Sequence, residues 1–405
     1  MTNLTDIQSN NAAPLIPEPV SYLDSSEFAA LLSQLTKDFA ETAADFDRNS
    51  EFPHANFTRL HQHGLLALTV PTELGGYGAT LSQTRRVVSA VAKGEPSTAL
   101  VLVMQYLQHS RLQQNQAWPL SLREQVALDA VKNGALTNAL RVEPELGTPA
   151  RGGLPKTVAK RHADGWLING HKIYSTGIAG LTWLTVWAHS DEAEPKVGSW
   201  LVHRDTPGIK VVETWDHLGM RATSSHDVIF EDVFVPEQYA VDVRPVGHDR
   251  TSELDTKGVL WLSVLLSSIY DAVAQAARDW LVQWLHGRVP ANLGASLATL
   301  PRFQEIVGRI DALLLNNKIL LDSAAGGHVP LESAAQIKYI VTSNAIKAVE
   351  EAIAATGNPG LSRHHALERH YRDVLCSRIH TPQNDAILLA AGRAALSGKP
   401  RGAAV

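Results

Sequence analysis

The sequence predicts an α+β protein that is mostly α-helical, with a helical region on either side of a β-rich one. Apolar residues recur at helical spacing from about Ser25 to Asn133. Short β-type runs separated by Pro and Gly fill about Gly134 to Val243, and helical spacing returns from about Asp255. We therefore expect a helical domain over 25–133, a β domain over 134–243 and a helical domain over 244–405, after a disordered leader over 1–24.

The first helical region contains a glycine-rich loop, LGGYGAT, between two helical segments. Pro53 is placed to open one of the helices before it, because proline is tolerated at the first position of a helix. Gly75, Gly76 and Gly78 allow positive φ angles and close backbone approach. The loop is either a plain helix-to-helix turn or a tight loop close to a bound group.

The β region begins with a hairpin pattern, TVAKRHADGWLINGHKIYST. Asp164-Gly165 separates two strand-like runs, as expected of a tight turn. The second run ends at Tyr174-Ser175-Thr176, so an aromatic ring and two hydroxyl groups lie at the end of a strand.

The last region opens with an apolar segment, Val259 to Ala277, that has the length of a membrane span. It contains Asp271, Gln275 and several serines, and no second span accompanies it. We interpret it as a core helix that is buried inside a bundle.

Composition excludes several functional classes. The chain has 405 residues and a net charge of −5, which gives no reason to expect nucleic acid or an anionic membrane as a partner. The one cysteine, Cys376, excludes an internal disulfide framework and a multi-thiolate metal site. The N-terminus shows no signal-peptide pattern, so we expect a cytoplasmic protein.

Four segments, in this order and spacing, resemble the acyl-CoA dehydrogenase superfamily: LLALTVPTELGGYGAT (65–80), WLINGHKIYSTG (166–177), LGMRATSSHDVIFEDVFVP (218–236) and ERHYRDVLCSRIHTPQNDAI (368–387). The resemblance implies an N-terminal helical domain, a central β-barrel-like domain and a C-terminal four-helix bundle. It also implies a flavin held between the domains, and subunits that pair into a homotetramer, a dimer of dimers.

The resemblance gives Tyr174, Ser175 and Thr176 a role at the flavin. An aromatic ring can cover one face of the isoalloxazine, while hydroxyl groups bond its polar edge. By residue pattern alone, Tyr174 is better interpreted as a core aromatic, and the resemblance reverses that preference. The resemblance implies cofactor contacts from Asn138, Tyr174, Ser175, Thr176, Arg288, Gln304, Arg369, Thr381, Gln383 and Asp385.

The segments that would hold the adenylate half of FAD depart from the dehydrogenase pattern. The Phe-Gly pair expected after Arg288 is absent, and one glycine is replaced within Ala355 to Arg363. Arg288 could instead be a helix C-terminal charge that compensates the helix dipole. These losses favour FMN, while FAD stays open.

The dehydrogenase base is also missing. The family pattern Ile-Tyr-Glu-Gly-Thr falls on Ile379 to Gln383, so that Thr381, a hydroxyl without useful basicity, replaces the Glu. Some relatives carry the Glu on the first bundle helix, but the corresponding stretch, Lys257 to Leu266, has no carboxylate. An acyl-CoA α-proton is too weak an acid to leave without a base.

His380 lies next to the position of the missing base. In this respect the chain resembles another branch of the superfamily, the two-component flavin-dependent monooxygenases similar to dibenzothiophene and alkylsulfone monooxygenases, which lack the Glu and carry a histidine in this segment. These take reduced flavin from a separate reductase and activate O2. The chain also has no strand-linked G-x-G-x-x-G for a nicotinamide cofactor.

We therefore expect a flavin-dependent monooxygenase that oxygenates a small organic substrate, with organosulfur compounds, amines and aromatics all open. An FAD-dependent acyl-CoA dehydrogenase is the alternative, and a flavin-free binding protein is a third possibility. The expected catalytic residues are His380, with a pKa near 6.5, His109 and Ser175. His109 is about as well interpreted as a structural histidine on a helix face. The other histidines fit no ligand spacing, so no metal is expected.

Overall fold

The computed structural model describes residues 21–112, 114–145, 154–246 and 253–397. A helical region, an eight-stranded sheet and a second helical region follow one another along the chain. This order confirms the predicted fold class. Most of the predicted leader lies outside the described residues, and Tyr22–Asp24 form a 3-10 turn that buries Leu23.

The N-terminal region consists of five helices: α1 (Ser26–Asn49), α2 (His54–Gln62), α3 (Leu81–Gly94), α4 (Pro96–Leu112) and α5 (Leu120–Asn133). Pro53 precedes the first residue of α2, as predicted. Thr80 and Gln83 form a capping box that begins α3. In the loop before it, a Cβ on Gly76 would lie 2.1 Å from the carbonyl oxygen of Val70, so only glycine fits there.

The sheet contains β1 (Leu136–Leu140), β2 (Val158–His162), β3 (Gly165–Lys172), β4 (Leu181–Ser190), β5 (Lys196–His203), β6 (Ile209–Val212), β7 (Asp227–Pro236) and β8 (Ala240–Pro245). Its strand order is β6-β7-β3-β2-β4-β5-β8, and β1 pairs in parallel with β4. β2 and β3 form the predicted hairpin, with His162 opposite Gly165.

The C-terminal region consists of α6 (Glu253–Gly287), α7 (Pro301–Ala325), α8 (Ala334–Thr356), the short α9 (Asn358–Leu361), α10 (Ala366–Leu375) and α11 (Asn384–Leu396). α6 packs against α7, α8 and α10 and also against α3 and α4. Among the described residues, α6 is the one helix long and apolar enough to cross a membrane, but 67% of its most apolar window is buried inside the molecule. The apolar segment is therefore a core helix, as predicted.

A junction formed by two neighbouring residues of α10 joins the three regions. Arg372 pairs with Asp47 of α1 at 2.6 Å and also donates to the carbonyl oxygen of Leu218 at 2.9 Å. Asp373 accepts a hydrogen bond from the amide of Met220 at 2.7 Å. A Cβ on Gly219 would lie 2.4 Å from the carbonyl oxygen of Arg372, so glycine is required for this close approach.

Burial opposes both charges at this junction, but the net shift in pKa favours the charged form of Arg372 and the neutral form of Asp373. Burial opposes the charge of Arg372, but hydrogen bonds to Asp47 and Glu368 outweigh it and raise the pKa of Arg372. Burial raises the pKa of Asp373 to about 7, against the hydrogen bond from Met220.

A second buried ion pair holds the β domain together. Glu143, which follows β1, accepts hydrogen bonds from the Lys172 ammonium at 2.6 Å and from the Thr157 hydroxyl at 2.6 Å. Burial works to raise the pKa of Glu143, but these bonds and the charge of Lys172 lower it. Burial likewise lowers the pKa of Lys172 to about 8, against the attraction of Glu143. At neutral pH the pair is therefore ionised.

We predict that Glu143→Gln lowers the free energy of unfolding by about 3 kcal/mol or more, because it leaves the Lys172 ammonium buried without a compensating charge. Glu145→Gln is the matched control, because Glu145 pairs with Lys156 at the surface and should contribute less than about 1 kcal/mol. Urea unfolding of the three proteins measures the difference. Equal losses in both variants would show that the buried pair is not a stability element.

Candidate functional site

The first group of predicted site residues lies at the end of β3. Tyr174 has a φ of 55° and is 53% exposed, with its ring edge-on to Trp215 and His217 at centroid distances of 6.3 and 5.8 Å. A left-handed backbone is uncommon for a bulky residue and is often found at functional sites. Tyr174 is therefore an exposed aromatic ring at a strand end, and not a core aromatic.

The two hydroxyl residues that follow are held by the chain before β7. The amide of Ser175 donates to the carbonyl oxygen of His226, and the Oγ of Thr176 accepts from the Ser225 hydroxyl at 3.1 Å. Ser175 is buried, and its Oγ has no hydrogen-bond partner among the described residues. A buried hydroxyl without a partner is costly, so this atom is available to a bound polar group.

Asn138 of β1 contacts this group directly, whereas His109 of α4 is linked to β1 through Gln105. The Asn138 amide donates to the carbonyl oxygen of Thr176 at 3.0 Å. Gln105 accepts a hydrogen bond from the amide of Thr137 at 2.7 Å and contacts the His109 ring at 3.0 Å. Gln105 and His109, one turn apart, therefore share one face of α4.

The His109 ring is buried. Its Nδ1 has no partner among the described residues, and burial lowers the pKa of His109 to about 4. His109 is therefore neutral at pH 7 and can exchange hydrogen bonds without carrying charge.

His380 forms the centre of a second group, between α6 and α8. Its ring lies 5.7 Å from the Tyr270 ring, and both its Nε2 and the Tyr270 hydroxyl are buried without a partner among the described residues. Burial, with the nearby charge of Lys338, lowers the pKa of His380 to about 4. The expected pKa near 6.5 is therefore wrong, because that value assumed a solvated imidazole.

Two residues of this group were missed by the sequence analysis. Lys338 of α8 is fully buried and donates to the carbonyl oxygens of His380 and Pro382, each at 2.8 Å. Burial lowers the pKa of Lys338 to about 8. A lysine within the apolar stretch IKYIV is the signal that could have indicated it, and the Tyr270 hydroxyl on the apolar α6 is a similar signal.

The remaining predicted cofactor residues are spread over the C-terminal region. Thr381 and Gln383 are half-buried beside His380, and Asp385 is exposed in the first turn of α11. Arg369 is buried in α10. Arg288 and Gln304 are exposed on either side of the α6–α7 connection.

The group at the end of β3 is better suited to an aromatic ligand with polar edges than to a metal ion. Its exposed Tyr174 ring and the unpartnered Oγ of Ser175 are the two features that indicate this. In the described part of the chain, no group of three or more His, Cys, Asp or Glu is placed to hold a metal ion.

We predict that His370→Gln reduces the pH dependence of stability. Burial lowers the pKa of His370 to about 3, whereas in the unfolded chain it titrates near 6.5. Between these values the unfolded state binds one more proton, so the stability present above pH 6.5 is lost as the pH falls. Asp373 has a raised pKa and therefore adds stability as the pH falls, which opposes the effect of His370. The test therefore compares the pH dependence of wild type with that of the variant, since Asp373 contributes equally to both.

Urea unfolding at pH 7.5 and pH 5 measures this effect. When the pH is lowered, the free energy of unfolding of the wild type should fall by about 2 kcal/mol more than that of His370→Gln. The figure follows because the unfolded state gains a proton over the roughly 1.5 pH units between its pKa and pH 5. Parallel losses in the two proteins would contradict a neutral, buried His370.

Comparison with known proteins identifies the family. Residues 26–115, 141–233 and 264–394 match the models of the acyl-CoA dehydrogenase N-terminal, middle and C-terminal domains. "Putative acyl-CoA dehydrogenase YdbM" of Bacillus subtilis (strain 168) is 31% identical over 367 residues, covering 88% of this chain and 93% of that protein.

Nitrososynthases are also similar over nearly the whole chain. L-evernosamine nitrososynthase of a Micromonospora species is 29% identical and covers 97% of this chain and 95% of its own length. The crystal structure of KijD3 with FMN and dTDP-3-amino-2,3,6-trideoxy-4-keto-3-methyl-D-glucose superposes with a TM-score of 0.80 at 26% identity, covering 94% of this chain and 95% of that one. The chain therefore belongs to the acyl-CoA dehydrogenase superfamily, as its sequence predicted.

Proposed function

We propose that this protein is a flavin-dependent monooxygenase that uses reduced flavin and O2 to oxygenate a small organic substrate. The observation that carries the proposal is the absence of a carboxylate at both places where the family's base is expected. In the C-terminal segment, Thr381 replaces the Glu. On the first bundle helix, the corresponding stretch from Lys257 to Leu266 contains no Asp or Glu. Without a base, removal of an α-proton from an acyl thioester has no acceptor.

The buried carboxylates of the bundle already have structural partners. Asp271 of α6 accepts hydrogen bonds from Asn317 at 2.9 Å and from Gln275 at 2.7 Å. Asp373 has a pKa of about 7, which would suit a base, but it accepts the amide hydrogen of Met220 at the junction between domains. Neither is free to replace the missing Glu.

The residues at the end of β3 support flavin binding. A bound reduced flavin supplies the electrons with which O2 is activated. Tyr174 would cover one face of its ring system, and the Ser175 hydroxyl and the Asn138 amide would bond its polar edge. FMN is preferred to FAD because the adenylate segments are eroded and because the similar KijD3 structure contains FMN.

The half-buried His380 and the fully buried Tyr270 can supply hydrogen bonds to a bound group from their buried Nε2 and hydroxyl atoms. A neutral imidazole both donates and accepts, so His380 can hold a proton at one ring nitrogen and direct it to a bound oxygen atom without carrying charge. The Tyr270 hydroxyl, whose pKa is raised well above its ordinary value by burial, stays protonated and can donate as well. Burial strengthens each of these bonds.

The proposal includes a separate flavin reductase, because the sequence has no nicotinamide fingerprint. An amine nitrogen joins sulfur as a candidate oxygen acceptor, since the similar proteins include a nitrososynthase named for an amino sugar. The name of the relative YdbM favours the second candidate function, an FAD-dependent acyl-CoA dehydrogenase. A cytoplasmic location stays an expectation of the sequence, and cell fractionation would test it.

We predict that the purified protein does not oxidise acyl-CoA thioesters of any chain length, so that no artificial electron acceptor is reduced when they are offered as substrates. With FMN, NADH and an added flavin reductase, it should oxygenate a sulfide or amine probe, and omission of the reductase should abolish product. Mass spectrometry with ¹⁸O₂ follows the oxygen atom. Rapid turnover with one thioester, or oxidation of NADH by this chain alone, would reverse the assignment.

We predict that His380→Ala lowers product formation by about 10²-fold or more while flavin binding survives, because a positioned proton donor is lost. Reduced flavin should then be oxidised unproductively, with release of hydrogen peroxide. His364→Ala, at an exposed position, is the matched control. A fully active, normally coupled His380→Ala protein would make His380 structural.

We also propose a homotetramer, supported by exposed apolar side chains on the outer face of the bundle. Leu315 and Ile319 on α7 are 58% and 60% exposed. Analytical ultracentrifugation should show a tetramer for the wild type and smaller species for Leu315→Glu/Ile319→Glu. The control, Leu120→Glu on α5, should leave the sedimentation unchanged. A monomeric wild type would contradict the proposal.

A further inference from the structure

A basic recess lies where the end of α1, the turn before β7 and the start of α10 meet. Its cavity volume is about 30 Å³, which is room for a single small group. Five arginines and two carboxylates line it, with one histidine: Arg48, Arg221, Arg363, Arg369, Arg372, Asp47, Glu368 and His365. The lining therefore carries a net positive charge of about three, with the histidine counted as neutral.

Both carboxylates are already engaged by one arginine. Arg372 pairs with Asp47 at 2.6 Å and with Glu368 at 2.8 Å. Arg221 is satisfied separately, because its Nε donates to the carbonyl oxygen of Asp47 and its Nη1 contacts Asp216 at 3.1 Å. Both carboxylates of the recess, Asp47 and Glu368, are thus paired with Arg372.

Arg369 is left without a counter-charge in contact. It is 7% exposed, and among the described residues its guanidinium makes no hydrogen bond and no ion pair. Asp373 influences it through space, but the oxygen of Asp373 is bonded to Met220. Arg363, at the mouth, likewise has no hydrogen bond or ion pair within the described ranges. A buried guanidinium without a hydrogen-bonded anion is strongly unfavourable.

We propose that this recess binds a phosphate group, with Arg369 and Arg363 as its ligands. The planar fork of a guanidinium matches two phosphate oxygens, and a dianion offers enough oxygens for donors that converge from different elements. Among the described residues, Arg48 pairs with Asp45 and Arg221 with Asp216, so Arg363 and Arg369 are the lining cations without an ion pair. Their two charges match a dianion better than a single carboxylate.

The recess lies close to the proposed flavin site. Which phosphate compound it would bind therefore depends on the proposed function. Arg221 donates to the carbonyl oxygen of His217 at 2.9 Å, and the His217 ring is 5.8 Å from that of Tyr174. A phosphate here could belong to flavin mononucleotide or to a nucleotide-linked substrate. The chemistry recognised is the same in both cases, and the experiment separates the two sources.

The first test measures thermal unfolding of the flavin-free protein in rising inorganic phosphate, with chloride holding the ionic strength constant. Phosphate should raise the melting temperature of the wild type and of the control Arg393→Gln, an exposed position on α11. The effect should weaken by about tenfold or more in apparent phosphate affinity in Arg369→Gln and Arg363→Gln, since each removes a charge-assisted contact. Arg363 is exposed, so its variant stays informative if Arg369→Gln fails to fold.

An equal response of wild type and Arg363→Gln, or a response to chloride as large as that to phosphate, would overturn the proposal. Because no turnover is measured, a failure of the proposed monooxygenase activity would leave this result standing.

The second test identifies the source of the phosphate by fluorescence titration. If it is the flavin's own, wild type should bind FMN at least about tenfold more tightly than riboflavin, and Arg363→Gln should remove the preference. If FMN and riboflavin bind equally while dTDP displaces inorganic phosphate, a nucleotide-linked substrate is the source. If neither FMN preference nor dTDP competition is observed, the recess is no phosphate site for a ligand of this protein.

Discussion

The candidate site depends on the junction that Arg372 and Asp373 make between the three regions. Asp373 holds the amide of Met220, and the chain from Met220 leads directly into the segment that supports the end of β3. There the carbonyl oxygen of Thr223 accepts from the amide of Gly177 at 2.8 Å, and that of His226 accepts from Ser175. A carboxylate on α10 is thus linked, through this chain of hydrogen bonds, to the backbone on either side of Thr176, next to the exposed Tyr174.

The same helix determines where the second group lies. α10 ends at Leu375, and a 3-10 turn leads from it to His380 within five residues. Lys338 then fixes that segment by its three bonds to the carbonyl oxygens of Ser377, His380 and Pro382. Both groups of the candidate site are therefore connected to α10, so a change at the junction should be felt at both.

The fold could be predicted because its signals are local. Helical and strand periodicities, the Asp164-Gly165 turn and the position of Pro53 each depend on residues close together in the chain, and the four family segments supplied the domain arrangement. Burial is different, because it depends on partners far away in sequence. Lys338 and its acceptor at His380 are 42 residues apart. The sequence therefore gave no reason to expect the low pKa of His380, and the role of Glu143 as a buried ionic centre was missed for the same reason.

The sequence predicted which residues are candidates for the site, but it did not predict the hydrogen-bonding state of their polar atoms. Ser175, Asn138 and His109 were chosen from the family pattern, and the structure brings Asn138 into contact with Thr176 and brings His109 towards β1 through Gln105. That the Ser175 Oγ and the His109 Nδ1 lack partners among the described residues is a property of the packing around them. Such unsatisfied groups lower stability, and they are commonly retained where a ligand completes them.

The replacement of Glu by Thr381 and the neutral state of His380 are physically linked. A carboxylate next to the imidazole would favour the imidazolium and raise the pKa of His380, whereas a hydroxyl exerts no such attraction. With Thr381 there, burial and the nearby Lys338 charge act in the same direction and keep the ring neutral. Loss of the base therefore does more than remove proton abstraction. It leaves the same segment with a neutral hydrogen-bonding group, which is the property that the proposed monooxygenase role requires of His380.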